Sequence, residues 1–232
     1  MSTILKEYIQ TIIQEKLRSS KFNINYFKSL DDINEIFNYA YDNLEFLGAG
    51  SSRATFLLSS GKALKIANWD AVLKGIAQNK VEIKTYTKTK NKDFIAKIFD
   101  HDQDYQWIIS ELVKPINDET EFLSLLDIKP SDGIDFELLM MLAKLGPEKT
   151  KNVEEKENFY LPQKANDFIE GIDSLRKNHN MEFGDLDVIG HWGKTNDDRL
   201  VLLDYGYDSD VRQAHYNQPE NFIGSATNKL EK

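Results

Sequence analysis

The stretch Leu44–Ala67, LEFLGAGSSRATFLLSSGKALKIA, holds three short apolar segments divided by glycine and serine. Apolar runs bounded by such turn residues read as strands, so this stretch predicts an antiparallel meander. Gly48 and Gly50 in the first turn let the backbone approach a ligand and aim successive N–H groups at an anion. Most turns of this composition are plain hairpins, so the turn alone decides nothing. In the third segment, alternation puts Leu64 and Ile66 on one face and Lys65 with Ala63 and Ala67 on the other. Small neighbours leave room for a ligand beside the ammonium; the ordinary alternative is a lysine on a solvated face.

Upstream, Ile4, Leu5, Tyr8, Ile9, Ile12, Ile13 and Leu17 recur at helical spacing and predict an amphipathic helix over residues 3–18. Ser29-Leu30-Asp31-Asp32 caps a second helix with Ile33, Ile36, Phe37 and Ala40 on its apolar side. Downstream, a helix runs from Asp70 to Thr87 and carries Glu82, an acid suited to pairing with Lys65 or, more commonly, an exposed helix residue. FIAKIFDHD (Phe94–Asp102) and YQWIISELV (Tyr105–Val113) read as strands, and Phe94, Phe99, Tyr105 and Trp107 as core. From Lys114 the chain turns helical, at Glu119–Leu126, Phe136–Leu145 and Lys164–Lys177. The charged segment 146–161 reads as a solvated loop.

A second stretch, Glu182–Asp208, EFGDLDVIGHWGKTNDDRLVLLDYGYD, places six aspartates around one apolar strand. Asp185 falls in an expected loop, and Asp204-Tyr205-Gly206 ends the strand. A carboxylate at a strand end, followed by glycine, suits a metal ion that bridges phosphates. Turn and cap duties are the commoner use of any one aspartate. Trp192 is expected to pack this segment.

The chain has 232 residues, a net charge of −9 and no cysteine. Disulfides and thiolate metal sites are thereby excluded, which fits a reducing cytoplasm. The acidic balance disfavours nucleic acid and anionic membrane as partners. No apolar stretch reaches the roughly 20 residues that span a bilayer, and nothing marks a signal peptide.

In order, the glycine turn, strand lysine, helix glutamate, loop aspartate and Asp204-Tyr205-Gly206 resemble the protein-kinase-like superfamily. The likeness is nearest to the atypical kinase-like proteins of bacteria and phages, and covers residues 43 to about 208. It implies an α+β, protein-kinase-like two-lobe fold: an N-terminal helical extension (1–42), an antiparallel β N-lobe with one helix (43–113) and a reduced helical C-lobe (114–232). It implies that Gly48, Gly50 and Ser51 cover a triphosphate, and that Lys65 meets its α- and β-phosphates while pairing with Glu82. Glu111 to Val113 become the hinge whose backbone holds adenine. Asp185 orients the acceptor hydroxyl and Asp204 binds Mg²⁺.

The chain also departs from that pattern. Arg53 replaces the third glycine, either reaching phosphate or lying on the surface. His191 stands at the nearest equivalent of the catalytic-loop asparagine, in a segment one residue longer. Mg²⁺ prefers oxygen ligands and imidazole suits softer metals, so a second Mg²⁺ position is doubtful and Mn²⁺ becomes an alternative. A structural hydrogen bond is the plainer role for His191, with Asp187 or solvent completing the shell. His101, His179 and His215 read as surface or turn residues. Only Tyr207–Lys232 follow Gly206, without the A-P-E element of a peptide-docking kinase. The resemblance therefore implies an ATP- and Mg²⁺-dependent phosphotransferase acting on a protein or small molecule. Its alternative is a weak or inactive kinase-like (pseudokinase) binding or structural module, phage-derived, working in a host cytoplasm or virion, with the N-terminal helices as contact element or as packing.

Overall fold

The computed structural model describes residues 21–59, 61–90, 92–181 and 183–215; the helix expected over 3–18 lies outside them. The chain is mixed α+β, as expected. It divides into two compact units, one of residues up to Lys80 with Lys97–Leu112, the other of Val81–Ala96 with Val113 onward.

In the first unit, α1 (Ile24–Phe27) and α2 (Ile33–Asn43) precede β1 (Glu45–Ala49), β2 (Arg53–Leu57) and β3 (Lys62–Ala67). The first half of α3 (Val72–Lys88) follows, then β4 (Ile98–His101) and β5 (Trp107–Glu111). The strands form one antiparallel sheet in the order β1-β2-β3-β5-β4. α2 starts where its cap dictates: the Asp32 carboxylate accepts the N–H groups of Asn34 and Glu35. Its apolar side, Ile36 and Ala40, joins Phe27 and Leu44 against Ala54, Phe56, Leu64, Ile66, Trp107 and Ile109 of the sheet. Each fully buried side chain of this size contributes about 1.5–3 kcal/mol, so α2 is part of the core that holds the sheet. That accounts for α2 through packing.

The expected core position of Phe99 is corrected. Phe99 lies on the outward face of β4 and is 48% exposed, with Lys62 Nζ 4.1 Å from its ring centroid. An irregularity in the β4–β5 register between Ile98 and Asp100 sets that face. Trp107 is buried as expected, and Phe94 and Tyr105 are half-buried.

In the second unit, β6 (Lys114–Pro115), β7 (Trp192–Lys194) and β8 (Leu200–Leu202) form a three-stranded antiparallel sheet. The second half of α3 belongs here. So do α4 (Glu119–Leu125), α5 (Phe136–Leu145), α6 (Pro147–Glu157), α7 (Gln163–His179), the single turn α8 (Phe183–Leu186) and α9 (Ser209–His215). Phe122, Phe168 and Trp192 meet at its centre with ring centroids 5.0 to 6.0 Å apart. Residues 94–96 run beside β8, where Leu202 exchanges backbone hydrogen bonds with Phe94 and Ala96.

α6 overturns the solvated loop expected over 146–161. Its charge hides the period, since Val153 is nearly alone as an apolar residue. Pro147 at the first position starts it, and Asn158 in the left-handed region ends it. Polar anchors fix it: Thr150 Oγ1 donates to the Leu142 carbonyl at 2.9 Å, and the Leu161 N–H donates to Glu154 Oε1 at 2.7 Å.

Candidate functional site

In the first unit the glycine turn joins β1 to β2, and Lys65 stands in the middle of β3, opposite Thr55 and Ile108. Leu64 and Ile66 are fully buried on the face that meets α2. Lys65 therefore projects from the opposite face with Ala63, Ala67 and Thr55, as alternation predicts. Gly48 adopts a φ of 155° at a register shift in the β1–β2 ladder, a backbone conformation L side chains rarely take. The turn closes through the Gly50 N–H, which donates to the Arg53 carbonyl at 2.9 Å.

The flank of that turn is buried and polar. Ser52 Oγ donates to Gln78 Oε1, and Arg53 Nη1 donates to Asn79 Oδ1 at 3.3 Å. Asn79 Nδ2 donates in turn to the Tyr105 carbonyl at 2.8 Å. Arg53 is only 6% exposed, so the surface position that the sequence left open for it is excluded. Ser52 and Gly75 were not singled out as site residues. Their signal was a glycine inside a predicted helix, and two consecutive polar residues, Gln78 and Asn79, on its inner side.

In the second unit the six aspartates separate by duty. Asp208 caps α9, accepting the N–H groups of Asp210 and Val211. Asp197 accepts from Thr195 Oγ1 at 2.6 Å and from Arg199 Nε at 3.0 Å, and these two donors hold its pKa down to about 2. Asp198 turns the chain at φ 60° and pairs with Lys194 at 2.7 Å. Asp187 is exposed. Asp204 is half-buried at the end of β8, where Oδ1 accepts the Gly206 N–H at 3.4 Å. Asp185 lies not in a loop but on the helical turn α8, and Trp192 fixes that turn: its indole, fully buried, donates to the Leu186 carbonyl at 2.9 Å. His191 accepts the Leu203 N–H at its carbonyl, 2.8 Å, which extends the β7–β8 ladder and brings its backbone beside Asp204.

Glu82 is 0% exposed on α3, so the exposed-acid alternative is excluded. A buried carboxylate requires compensating charge or hydrogen bonds. Glu111 ends β5 with its carboxylate accepting the Lys97 N–H, and Val113 is buried against Gly193, where an added Cβ would lie 2.6 Å away. His101 is exposed as expected, and His215 lies on α9. His179 is half-buried, with Nε2 3.0 Å from Thr89 Oγ1; burial and Lys88 and Lys84 lower its pKa. Among the described residues no three His, Asp or Glu side chains gather into a metal cage.

No known protein family matches the chain, and no curated protein is significantly similar to it. Some solved structures align with part of it. The Mycobacterium tuberculosis PknI kinase domain aligns at 15% identity over 72% of this chain, with a TM-score of 0.38. The chain spans 60% of that domain's length. The aminoglycoside phosphotransferases APH(2")-IIa, in a complex with streptomycin and ATP, and APH(2'')-Ib, bound to ADP, align at 15% and 14% identity with TM-scores of 0.36. They cover 77% and 76% of this chain and 72% and 71% of their own. At such scores none of these likenesses bears on chemistry. No helix among the described residues is long and apolar enough to cross a membrane.

Proposed function

We propose that the chain is a protein-kinase-like phosphotransferase that uses ATP with Mg²⁺ or Mn²⁺ and passes the γ-phosphoryl group to a hydroxyl acceptor. The observation that carries this reading lies in the first unit. Lys65 stands mid-strand on the sheet face turned away from the core, among alanines, and the glycine turn leads into the adjacent strand. The small side chains of Ala63 and Ala67 leave room for a ligand beside the half-buried Lys65 ammonium.

In this reading the backbone of Gly48, Gly50 and Ser51 covers the triphosphate, with Arg53 behind it. Lys65, paired with Glu82, holds the α- and β-phosphates, and the backbone at Glu111 to Val113 holds the base. Asp185 orients the acceptor hydroxyl and takes its proton as the new P–O bond forms and the bond to the β-phosphate breaks. Asp204, with His191 beside it, would hold the metal ion, which neutralises phosphate charge when bound. Such transfer asks chiefly for positioning and charge neutralisation. The proposed division is a helical extension at 1–42, an N-lobe at 43–113 and a reduced C-lobe at 114–232.

A second reading, a kinase-like binding module without efficient catalysis, draws on His191, an imidazole where the resemblance implies an oxygen ligand for the metal ion. A thermal melt separates the two. ATP with Mg²⁺ or Mn²⁺ should raise Tm, since binding only the folded state stabilises by about 2.7 kcal/mol at a hundredfold excess over Kd. Lys65→Met should abolish that shift with little loss of intrinsic stability. A wild-type Tm that no nucleotide or metal moves would remove the phosphotransferase reading.

A further inference from the structure

The buried polar flank of the glycine turn has a geometry that a phosphate-reading arginine would not need. Four side chains, Ser52, Arg53, Gln78 and Asn79, are each less than a tenth exposed. Two belong to the turn and two to α3, and they are joined pairwise, Ser52 to Gln78 and Arg53 to Asn79. Asn79 continues the chain of bonds to the carbonyl of Tyr105, a residue held at φ 60° just before β5. Asn68, in the link between β3 and α3, adds two more ties: its N–H donates to the Ser52 carbonyl at 2.8 Å and its Nδ2 to the Gly50 carbonyl at 3.1 Å.

Backbone packing makes this contact close. A Cβ at Gly75 would lie 2.5 Å from the Ser52 carbonyl oxygen and 2.6 Å from Ala67 Cβ. Neither neighbour is the loose end of a flexible side chain, so a side chain at 75 would force α3 and the turn apart. Alanine is ordinarily better than glycine inside a helix by about 0.5–1 kcal/mol. Glycine here is explained by the approach of the turn.

We propose that Ser52, Arg53, Gln78 and Asn79 are positioning residues: a buried clamp, closed over Gly75, that holds the Gly48–Arg53 turn in one conformation before any nucleotide arrives. The turn is then a preformed cradle whose backbone N–H groups need no ordering at binding. Avoiding that ordering cost is how preorganisation raises affinity. The nucleotide role rests on the phosphotransferase reading above; the clamping of the turn stands on the geometry alone.

Direct phosphate contact by Arg53 predicts the opposite outcome to clamping, which makes the proposal testable on the full chain. Asn79→Ala deletes an acceptor of the Arg53 guanidinium, Ser52→Ala the milder tie to Gln78, and Gly75→Ala the close approach. Amide hydrogen exchange is read in peptides covering 48–53 without nucleotide, with α7 as internal reference, and the Kd for ATP with Mg²⁺ is measured beside it. Clamping predicts exchange in 48–53 faster by about tenfold in Asn79→Ala and Gly75→Ala, less in Ser52→Ala, with α7 unchanged and ATP affinity lower by a similar factor. If Asn79→Ala instead tightens ATP binding, Arg53 is a phosphate ligand released by the change and the proposal falls. It falls equally if exchange in 48–53 is unmoved, or if it rises no more than in α7. Should Asn79→Ala not fold, Ser52→Ala and Gly75→Ala decide by the same criteria. If exchange responds as expected while wild type binds no ATP, the phosphotransferase reading and the clamp's nucleotide role are overturned together, and only a structural clamp remains.

Discussion

The hairpins at Gly48–Arg53 and Thr195–Arg199 both join antiparallel strands through a handful of polar residues, yet they are held by different means. The first takes its buried side-chain ties from α3, some 26 residues away, with Asn68 of the link before α3 adding an exposed one. The second ties itself: Thr195 Oγ1 donates to Asp197 and receives the Arg199 N–H at 2.9 Å, Arg199 pairs with Asp197, and Lys194 with Asp198. Only Thr195 of that set is buried. A turn that fastens itself takes its shape from its own polar groups. One held from a distant helix has its shape set by packing, which is why the proposed ligand role falls to the glycine turn rather than to the aspartate-rich one.

Gly75→Ala should break that contrast most severely. Backbone atoms at 2.5 and 2.7 Å leave no room for a methyl group, so a loss of about 1–3 kcal/mol is expected in urea unfolding despite the helix preference for alanine. A gain in stability would show that the turn is not locked to α3. Thr195→Val comes next, with a loss of about 1–2 kcal/mol, because it removes a buried hydroxyl that donates to Asp197 and accepts the Arg199 N–H. Nucleotide response should be untouched by it, and a changed ATP-induced Tm shift would mean that the two hairpins do not differ in function as argued.

Asp197→Asn should have the smallest effect, visible only in acid. Its folded pKa, near 2, lies below its ordinary 3.8, so its contribution is present above pH 3.8 and is lost as pH falls toward 2. Acid unfolding of wild type should therefore be steeper between about pH 4 and 2 than that of the variant. Equal slopes would remove Asp197 from the turn's closure.

Much of the architecture was legible because it depends on local spacing. Asp32 caps α2 by reaching two and three residues ahead, and alternation along β3 sends Lys65 away from Leu64 and Ile66 whatever lies beyond the strand. The candidate site was legible only as residue types in order. Arg53 read equally well as a phosphate contact or a surface residue, because nothing near it in sequence names Asn79 as its partner. α6 escaped for a related reason: its anchors, Leu142 and Leu161, lie outside it, and its own residues carry charge without an apolar stripe.

The sequence by itself determined the strands of the meander, the caps and the face of each alternating residue, since these follow from backbone period and side-chain reach over a few positions. Only the tertiary structure decided which aspartates serve turns, that Glu82 is buried, and that α3 closes on the glycine turn over Gly75. Those outcomes depend on which distant surfaces exclude water together. A buried polar group must then find its partner among whatever packing has brought within hydrogen-bond reach.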